Sequence, residues 1–231
     1  MNEKVSVIVS TYNRGEFLSN PLESLTNQTF KNFEALVMDE VKTTDNTEEI
    51  VRKYQKMDDR IKYVRKNMGS YPKALNVGID MAKGDYIAIL DSDDAYYPTT
   101  LEEMVKAMDK RPEIALAYSD MIFEKDGNFE KEWVKPDFNR DLLLDWMYIG
   151  HAKLFRKEPL LSIGGFDESM RLVEDYDMAL RLSEVSDFLH VNKTLYKYNH
   201  HNKRISVLER EKQNKAAKEA VMRAKVRRGL L

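Results

Sequence analysis

Across the first 94 residues, short apolar runs alternate with segments whose apolar positions recur every three to four residues. A run bounded by turn signals reads as a buried strand, and the 3.6-residue period reads as a helix. Val5, Val7, Ile8 and Val9 dominate residues 4–10, and their β-branching favours a strand. Thr11-Tyr12-Asn13-Arg14-Gly15 breaks it. A helix to about residue 27 follows, with Phe17, Leu18, Leu22 and Leu25 on one face. Pro21 requires either a kink or a start at Asn20 with the proline in the first turn. Residues 33–38 form a second strand ending at Asp39-Glu40, and Thr44-Asp45-Asn46-Thr47 offers N-caps for a helix through Ile50, Val51 and Tyr54. Residues 61–64 form a third strand. Asn67-Met68-Gly69 turns into a helix holding Ala74, Leu75, Val77, Gly78, Ile79 and Met81, which Gly84 ends. Residues 86–90, apolar throughout, are the fourth strand. This β-α-β-α-β-α-β order predicts an open, twisted, mainly parallel sheet with helices on both faces and right-handed crossovers.

After Asp94 the rhythm changes, and a small second antiparallel element is expected. Thr99 or Thr100 with Glu102 or Glu103 predicts a capping box for a helix to residue 110. Residues 114–123 form a long strand, and Asp126-Gly127-Asn128 turns it into a hairpin with residues 129–134. Residues 139–147 read as helix, 152–155 as strand, 158–163 as a helix ended by Gly164-Gly165, and 173–183 as helix. Residues 188–191 and 195–198 read as two closing strands. From Lys203 onward the chain is helical and basic, and its sparse apolar residues, Val207, Leu208, Ala216, Ala220 and Val221, favour packing on the domain.

Composition narrows the class. The chain has 231 residues, 42% hydrophobic and 33% charged, with a net charge of −2. That describes one large globular domain without a general attraction for nucleic acid. It contains no cysteine, which excludes disulfides, thiolate metal sites and cysteine nucleophiles. No apolar run approaches the roughly 20 residues of a membrane span, and no signal peptide precedes the first strand. The expectation is a cytoplasmic protein whose basic tail is either a solvated helix or a peripheral contact with an anionic surface, the inner face of a membrane or a phosphorylated substrate.

Chemistry concentrates where the fourth strand ends, in Asp91-Ser92-Asp93-Asp94. Open α/β sheets bind ligands at the carboxyl ends of their strands. Two carboxylates about 4 Å apart repel by roughly 4 kcal/mol at an effective dielectric of 20. A divalent cation removes that repulsion, and oxygen ligands favour Mg²⁺ or Mn²⁺; the residues alone equally suit an Asp-rich loop that caps the next helix. The dinucleotide fingerprint and the P-loop are both absent from the sequence.

The order of motifs resembles the family-2 glycosyltransferases of the GT-A fold, over about residues 3–206. Residues carrying the likeness are Val5-Ser6-Val7-Ile8-Val9-Ser10-Thr11-Tyr12-Asn13-Arg14, Asn27-Gln28-Thr29-Phe30, Asp39-Glu40 and Thr44-Asp45-Asn46-Thr47. Asn67-x-Gly69, Asn76-x-Gly78, Ala82-x-Gly84-Asp85-Tyr86-Ile87 and Asp91-Ser92-Asp93-Asp94 continue it. Gly164-Gly165-Phe166-Asp167-Glu168 and Glu174-Asp175-Tyr176-Asp177 complete it. Three departures stand out. Ser10 replaces the usual proline, Glu40 replaces a second aspartate, and Val41-Lys42-Thr43 replaces a Gly-Ser, so the loop there should differ in shape. The Gln-x-x-Arg-Trp motif of processive synthases is absent.

The resemblance implies a nucleotide-binding half over residues 1–94, an acceptor half over 95–206, and a basic C-terminal helix over 207–231. It implies an inverting transfer from a nucleotide-diphosphate sugar, uridine-based, to a hydroxyl on a glycan, lipid-linked or other acceptor. Ser10, Thr11 and Tyr12 would pack on the base, Asp39 would take the uracil or ribose edge, and Lys73 would touch phosphate or ribose. Asp91 and Ser92 would sit nearer the ribose, and Asp93 with Asp91 would hold Mn²⁺ or Mg²⁺. His201, aligned with the family's histidine after the last strand, would join them. Asp175 would be the base. Residues 138–156, with Trp146, Tyr148 and His151, would face the acceptor. Two other readings remain at this point: a degenerate domain that binds a nucleotide sugar without turnover, and a sugar nucleotidyltransferase.

Overall fold

The computed structural model describes residues 3–125, 127–204 and 208–231. The parallel half follows the pattern of the sequence. Strands β1 (Val5–Thr11), β2 (Phe33–Glu40), β3 (Ile61–Lys66) and β4 (Tyr86–Ile89) alternate with helices α1 (Gly15–Thr26), α2 (Thr47–Met57) and α3 (Tyr71–Met81). They lie in the order β3-β2-β1-β4, all parallel. Alternation of side chains along each strand splits the core in two. On β1, Val5, Val7 and Val9 face α1, α2 and a later helix, α4 (Thr100–Asp109), while Ile8 faces α3. Gly78 lets α3 close on β1: a Cβ there would stand 2.9 Å from Ile8.

The second half continues the same sheet. Strand β5 (Ala95–Tyr96) precedes α4, and β6 (Leu116–Lys125) forms a hairpin with β7 (Asn128–Trp133). Strand β8 (Lys153–Arg156) lies antiparallel between β4 and β6. Helices α5 (Lys157–Ser162) and α6 (Glu174–Leu182) follow, then β9 (Phe188–Asn199), parallel to β6 and antiparallel to β5. The last helix, α7 (Arg210–Arg227), packs on α6 with Ala220 and Ala224 fully buried.

Several expectations are corrected. Helix α1 runs through Pro21, which is buried within it. The α4 capping box does not form: the Thr100 hydroxyl donates to the Leu195 carbonyl, and Glu102 accepts from Thr29. Residues 139–147 hold only a 3₁₀ turn, Leu142–Leu144, because side chains take the backbone partners a helix would use. The Asn139 Oδ1 accepts from the Asp141 and Leu142 amides, and the Tyr148 hydroxyl bonds the Asn139 amide and carbonyl. The two closing strands are one, β9, with register shifts opposite Ser119 to Met121. Lys203 and Arg204 precede the terminal helix and belong to a loop. Asp126, Val207 and the boundary expected after residue 206 lie outside the described residues.

Some sequence motifs prove to be joints. Gln28 is fully buried, donating to the Ser24 and Tyr97 carbonyls and accepting from the Leu101 amide. It ties α1 to the start of α4. Asp45 accepts from the Gly15 and Thr47 amides, so one carboxylate holds the first turns of α1 and α2. Asn76 bonds the Phe166 amide and carbonyl through its side-chain amide, docking the Gly164-Gly165-Phe166 loop on α3. A Cβ on Gly165, at φ 67°, would meet the Asn76 oxygen at 2.8 Å.

Candidate active site

Parallel register brings the ends of β1, β2 and β4 to one edge of the sheet. There a cleft of about 610 Å³ opens. Ser10, Thr11 and Tyr12 line one side, Asp91, Ser92 and Asp93 the floor, and Glu174 and Asp175 the far side. The fold therefore brings these expected residues together. Asp39 stands apart: its fully buried carboxylate accepts from the Thr43 and Tyr63 hydroxyls and is absent from the lining. Lys73 is exposed on α3, also off the lining. Glu40 takes the position beside the cleft instead. Its Oε2 accepts from the Met68 and Gly69 amides at 2.8 and 2.7 Å, which lowers its pKa, the Gly69 bond most of all. The glutamate that departs from the family pattern thus holds the 67–70 loop by direct hydrogen bonds. The Thr11 Oγ1 and Glu40 Oε1 are buried with no hydrogen-bond partner among the described residues.

The acid cluster is dense. Asp91, Asp93 and Asp94 each offer an oxygen, all within 4.8 Å of one another. Asp94 is fully buried and engaged: it accepts from the Tyr196 hydroxyl at 2.8 Å, the Asn199 amide at 2.9 Å and the Arg204 guanidinium. Burial pushes its carboxyl up, and Arg204 opposes that rise. Burial would lower Arg204, but Asp94 and Asp93 raise it above its ordinary value. Arg204 also lies 3.4 Å from Asp93 and 3.5 Å above the Tyr198 ring. Asp91 accepts from the Tyr71 hydroxyl at 2.8 Å and has the His151 ring 3.6 Å away. Burial drives His151 down to about 4, against the pull of Asp91, so its ring is neutral.

A metal ion fits this donor set. Asp94 is committed to the protein, while Asp91 and Asp93 face the cleft. His201 offers Nε2 at 3.0 Å from Asp93 and is stacked on Phe17, centroids 4.3 Å apart. With one guanidinium set against three acids, the cluster has an excess of acid that a divalent cation would complement. Carboxylate oxygens suit Mg²⁺ and Mn²⁺, and the imidazole is a compatible further donor.

On the far side, Asp175 sits in the first turn of α6 and pairs with the Lys153 ammonium at 3.2 Å. Lys153 is buried on β8. The neighbouring Glu174 is pushed up to about 8 by burial and by the Asp175 charge, so it keeps its proton at neutral pH. Leu172, before the helix, is held at φ 79°, and its carbonyl accepts from Gln213 of α7. A bulky side chain at positive φ is strained by about 1–3 kcal/mol, and such strain gathers at functional sites.

Sequence reading missed Arg204, Lys153 and Tyr71. A lysine inside the apolar Ala152-Lys153-Leu154-Phe155 was a usable signal, since a buried ammonium needs an acid. Arg204 had none, because its partner lies 110 positions away.

Residues 6–164 match the model of the glycosyl transferase family 2. A chondroitin synthase of Pasteurella multocida is 31% identical over 91% of this chain and 22% of its own length. Glycosyltransferase GlyG of Streptococcus pneumoniae is 30% identical over 86% of this chain and 71% of its own. The chain thus spans about a fifth of the chondroitin synthase and most of GlyG. S. aureus TarS 1–349 in complex with UDP-GlcNAc superposes with a TM-score of 0.73 at 24% identity, over 87% of this chain and 60% of that one. PcManGT, a mannosyltransferase from Pyrobaculum calidifontis in complex with GDP-Man and Mn²⁺, gives 0.69 at 18%, over 93% and 61%. These likenesses carry the fold, GT-A.

Proposed function

The chain belongs to glycosyl transferase family 2, and from that premise we propose that it moves a sugar from a UDP-sugar to a hydroxyl acceptor with inversion at the anomeric carbon. The observation that carries this is that Asp91, Asp93 and Asp175 all line one cleft at the carboxyl ends of the parallel strands.

Ser10, Thr11 and Tyr12 form the wall for the base, and Tyr12, 53% exposed, is the ring it stacks on. Thr11 and Glu40 line the same part of the cleft, on the side proposed for the nucleoside. Asp39 shapes that wall through Tyr63 and Thr43, and Lys73 reaches phosphate only from the rim. Asp91, Asp93 and His201 would hold Mn²⁺ or Mg²⁺, which when bound offsets charge on the leaving diphosphate. Ser92 packs against the ribose side of that floor. TarS in complex with UDP-GlcNAc and PcManGT in complex with GDP-Man and Mn²⁺ both support a nucleotide-diphosphate sugar donor, and the latter supports the metal.

Asp175 accepts the proton of the acceptor hydroxyl as that oxygen attacks the anomeric carbon from the face opposite the diphosphate. Lys153 holds the carboxylate in place. Glu174, pushed up to about 8 by burial and by the Asp175 charge, holds its proton most of the time at neutral pH and is the lesser candidate for the base. The exposed Lys215 and Lys218 of α7 remain available for an anionic membrane surface, the peripheral contact proposed for the tail.

Asp175→Asn tests the base. A positioned base contributes about 10² to 10⁴ in rate, so turnover should fall by at least about a hundredfold with UDP affinity unchanged. Glu174→Gln should cost far less. Near-normal turnover in Asp175→Asn would sink the mechanism, and UDP binding without any turnover in the parent chain would favour a binding domain.

A further inference from the structure

The chain has two tryptophans, Trp133 and Trp146, and they stack on one another, centroids 6.0 Å apart with planes at 22°. Neither lines the cleft. Strand register explains where they lie. Tyr196 and Tyr198 are two apart on β9 and share a face. Their partners on β6 are Met121 and Phe123. The partners of those on β7 are Trp133 and Lys131. Two rows thus cross three strands on one face, Tyr196-Met121-Trp133 and Tyr198-Phe123-Lys131. It is the face from which Tyr196 holds Asp94 and Tyr198 lines the cleft.

Rings follow one another outward along it. Tyr198 to Phe123 is 5.1 Å, Phe123 to Trp133 is 6.4 Å with planes at 23°, and Trp146 ends the series at 42% exposure. One exposed ammonium lies over the same rings, that of Lys131, 4.6 Å from the Phe123 centroid, while the Lys135 amine beside Trp133 is buried and donates to the Ser119 and His151 carbonyls. A lipid chain fits an unbroken apolar trough, which this is not. A pyranose has an apolar C–H face and hydroxyls at its edge, and so matches flat rings beside hydrogen-bond donors.

We infer that this aromatic stripe is an outer subsite for the sugar units of a carbohydrate acceptor. The inference rests on the transferase reading and narrows its acceptor to an oligosaccharide several sugars long. Such a chain lies along Trp146 and Trp133 while its terminal hydroxyl reaches toward Asp175.

Because both tryptophans of the chain stand in the stripe, intrinsic tryptophan emission reports it directly. The full chain is titrated with neutral and uronic-acid oligosaccharides, from monosaccharide to hexasaccharide. Calorimetry with UDP and Mn²⁺ reads the donor site separately. Emission should change saturably, with affinity rising with sugar length. Trp146→Ala should weaken the hexasaccharide roughly tenfold, the equivalent of about 1.4 kcal/mol, without altering UDP affinity, and Trp146→Phe should recover most of the loss. A response equal at all lengths, or none to any oligosaccharide, overturns the inference. So does a response to phosphatidylglycerol vesicles or to a peptide alone, which would make the stripe a lipid or protein surface. Oligosaccharide binding with no UDP binding would instead count against the transferase reading.

Discussion

Replacing Arg204 by methionine should expose how the acid cluster is balanced. The guanidinium is 6% exposed and stands between Asp93 and the fully buried Asp94. At 3.4 Å and an effective dielectric of 20, the Arg204–Asp93 attraction alone is about 5 kcal/mol. Desolvation offsets part of it, and removing one partner of a buried pair costs about 3–5 kcal/mol because the other charge is stranded. For a chain of this size each kcal/mol is worth roughly 2–4 °C. Arg204→Met should therefore lower the melting temperature by roughly 6–20 °C. Two further readings separate charge from packing. Asp94→Asn added to Arg204→Met should restore much of the loss, since the stranded charge is gone. Mn²⁺ should raise the melting temperature of Arg204→Met more than that of the parent chain, since the cluster then carries one more uncompensated charge. Thermal melts with and without Mn²⁺ measure all three. A variant melting within about 2 °C of the parent, or an equal Mn²⁺ response in both, would refute the balance described.

Calorimetry of UDP should show tighter binding with Mn²⁺ than with chelator, and identical affinities would remove the metal from Asp91 and Asp93. The Glu174 carboxyl, raised from 4.5 to about 8 by burial and by Asp175, binds its proton more tightly folded than unfolded. Its contribution to stability is then full below pH 4.5 and is lost as pH rises through about 8. Denaturant midpoints across that window should fall with pH, and Glu174→Gln should flatten the slope; parallel slopes would contradict the burial of this acid. Ala224→Leu, at a fully buried contact of α7, should cost about 1–3 kcal/mol by overpacking. An unchanged melt would mean that α7 does not dock there.

The local chemistry of the chain determined the parallel half. β-Branched runs and helical periodicity between turn signals need only near neighbours, so β1 to β4 and α1 to α3 were legible to within a few residues. The position of the Asp91-to-Asp94 cluster at a strand end was legible too, but adjacent carboxylates there also suit a helix-capping loop, so only the resemblance to a family gave the cluster a metal-binding role. Where side chains compete for backbone groups, the pattern misleads: Asn139 and Tyr148 hold as a loop a segment whose periodicity is helical. The fate of each charge was decided only by tertiary structure. Asp39 is turned inward to Tyr63 and Thr43, Glu40 reaches the Met68 and Gly69 amides, and Lys153 meets Asp175 from another strand. Arg204 closes on Asp94 across 110 residues. The physical reason is that periodicity is a property of neighbours along the chain, whereas the cost of a buried charge depends on what the finished fold places beside it.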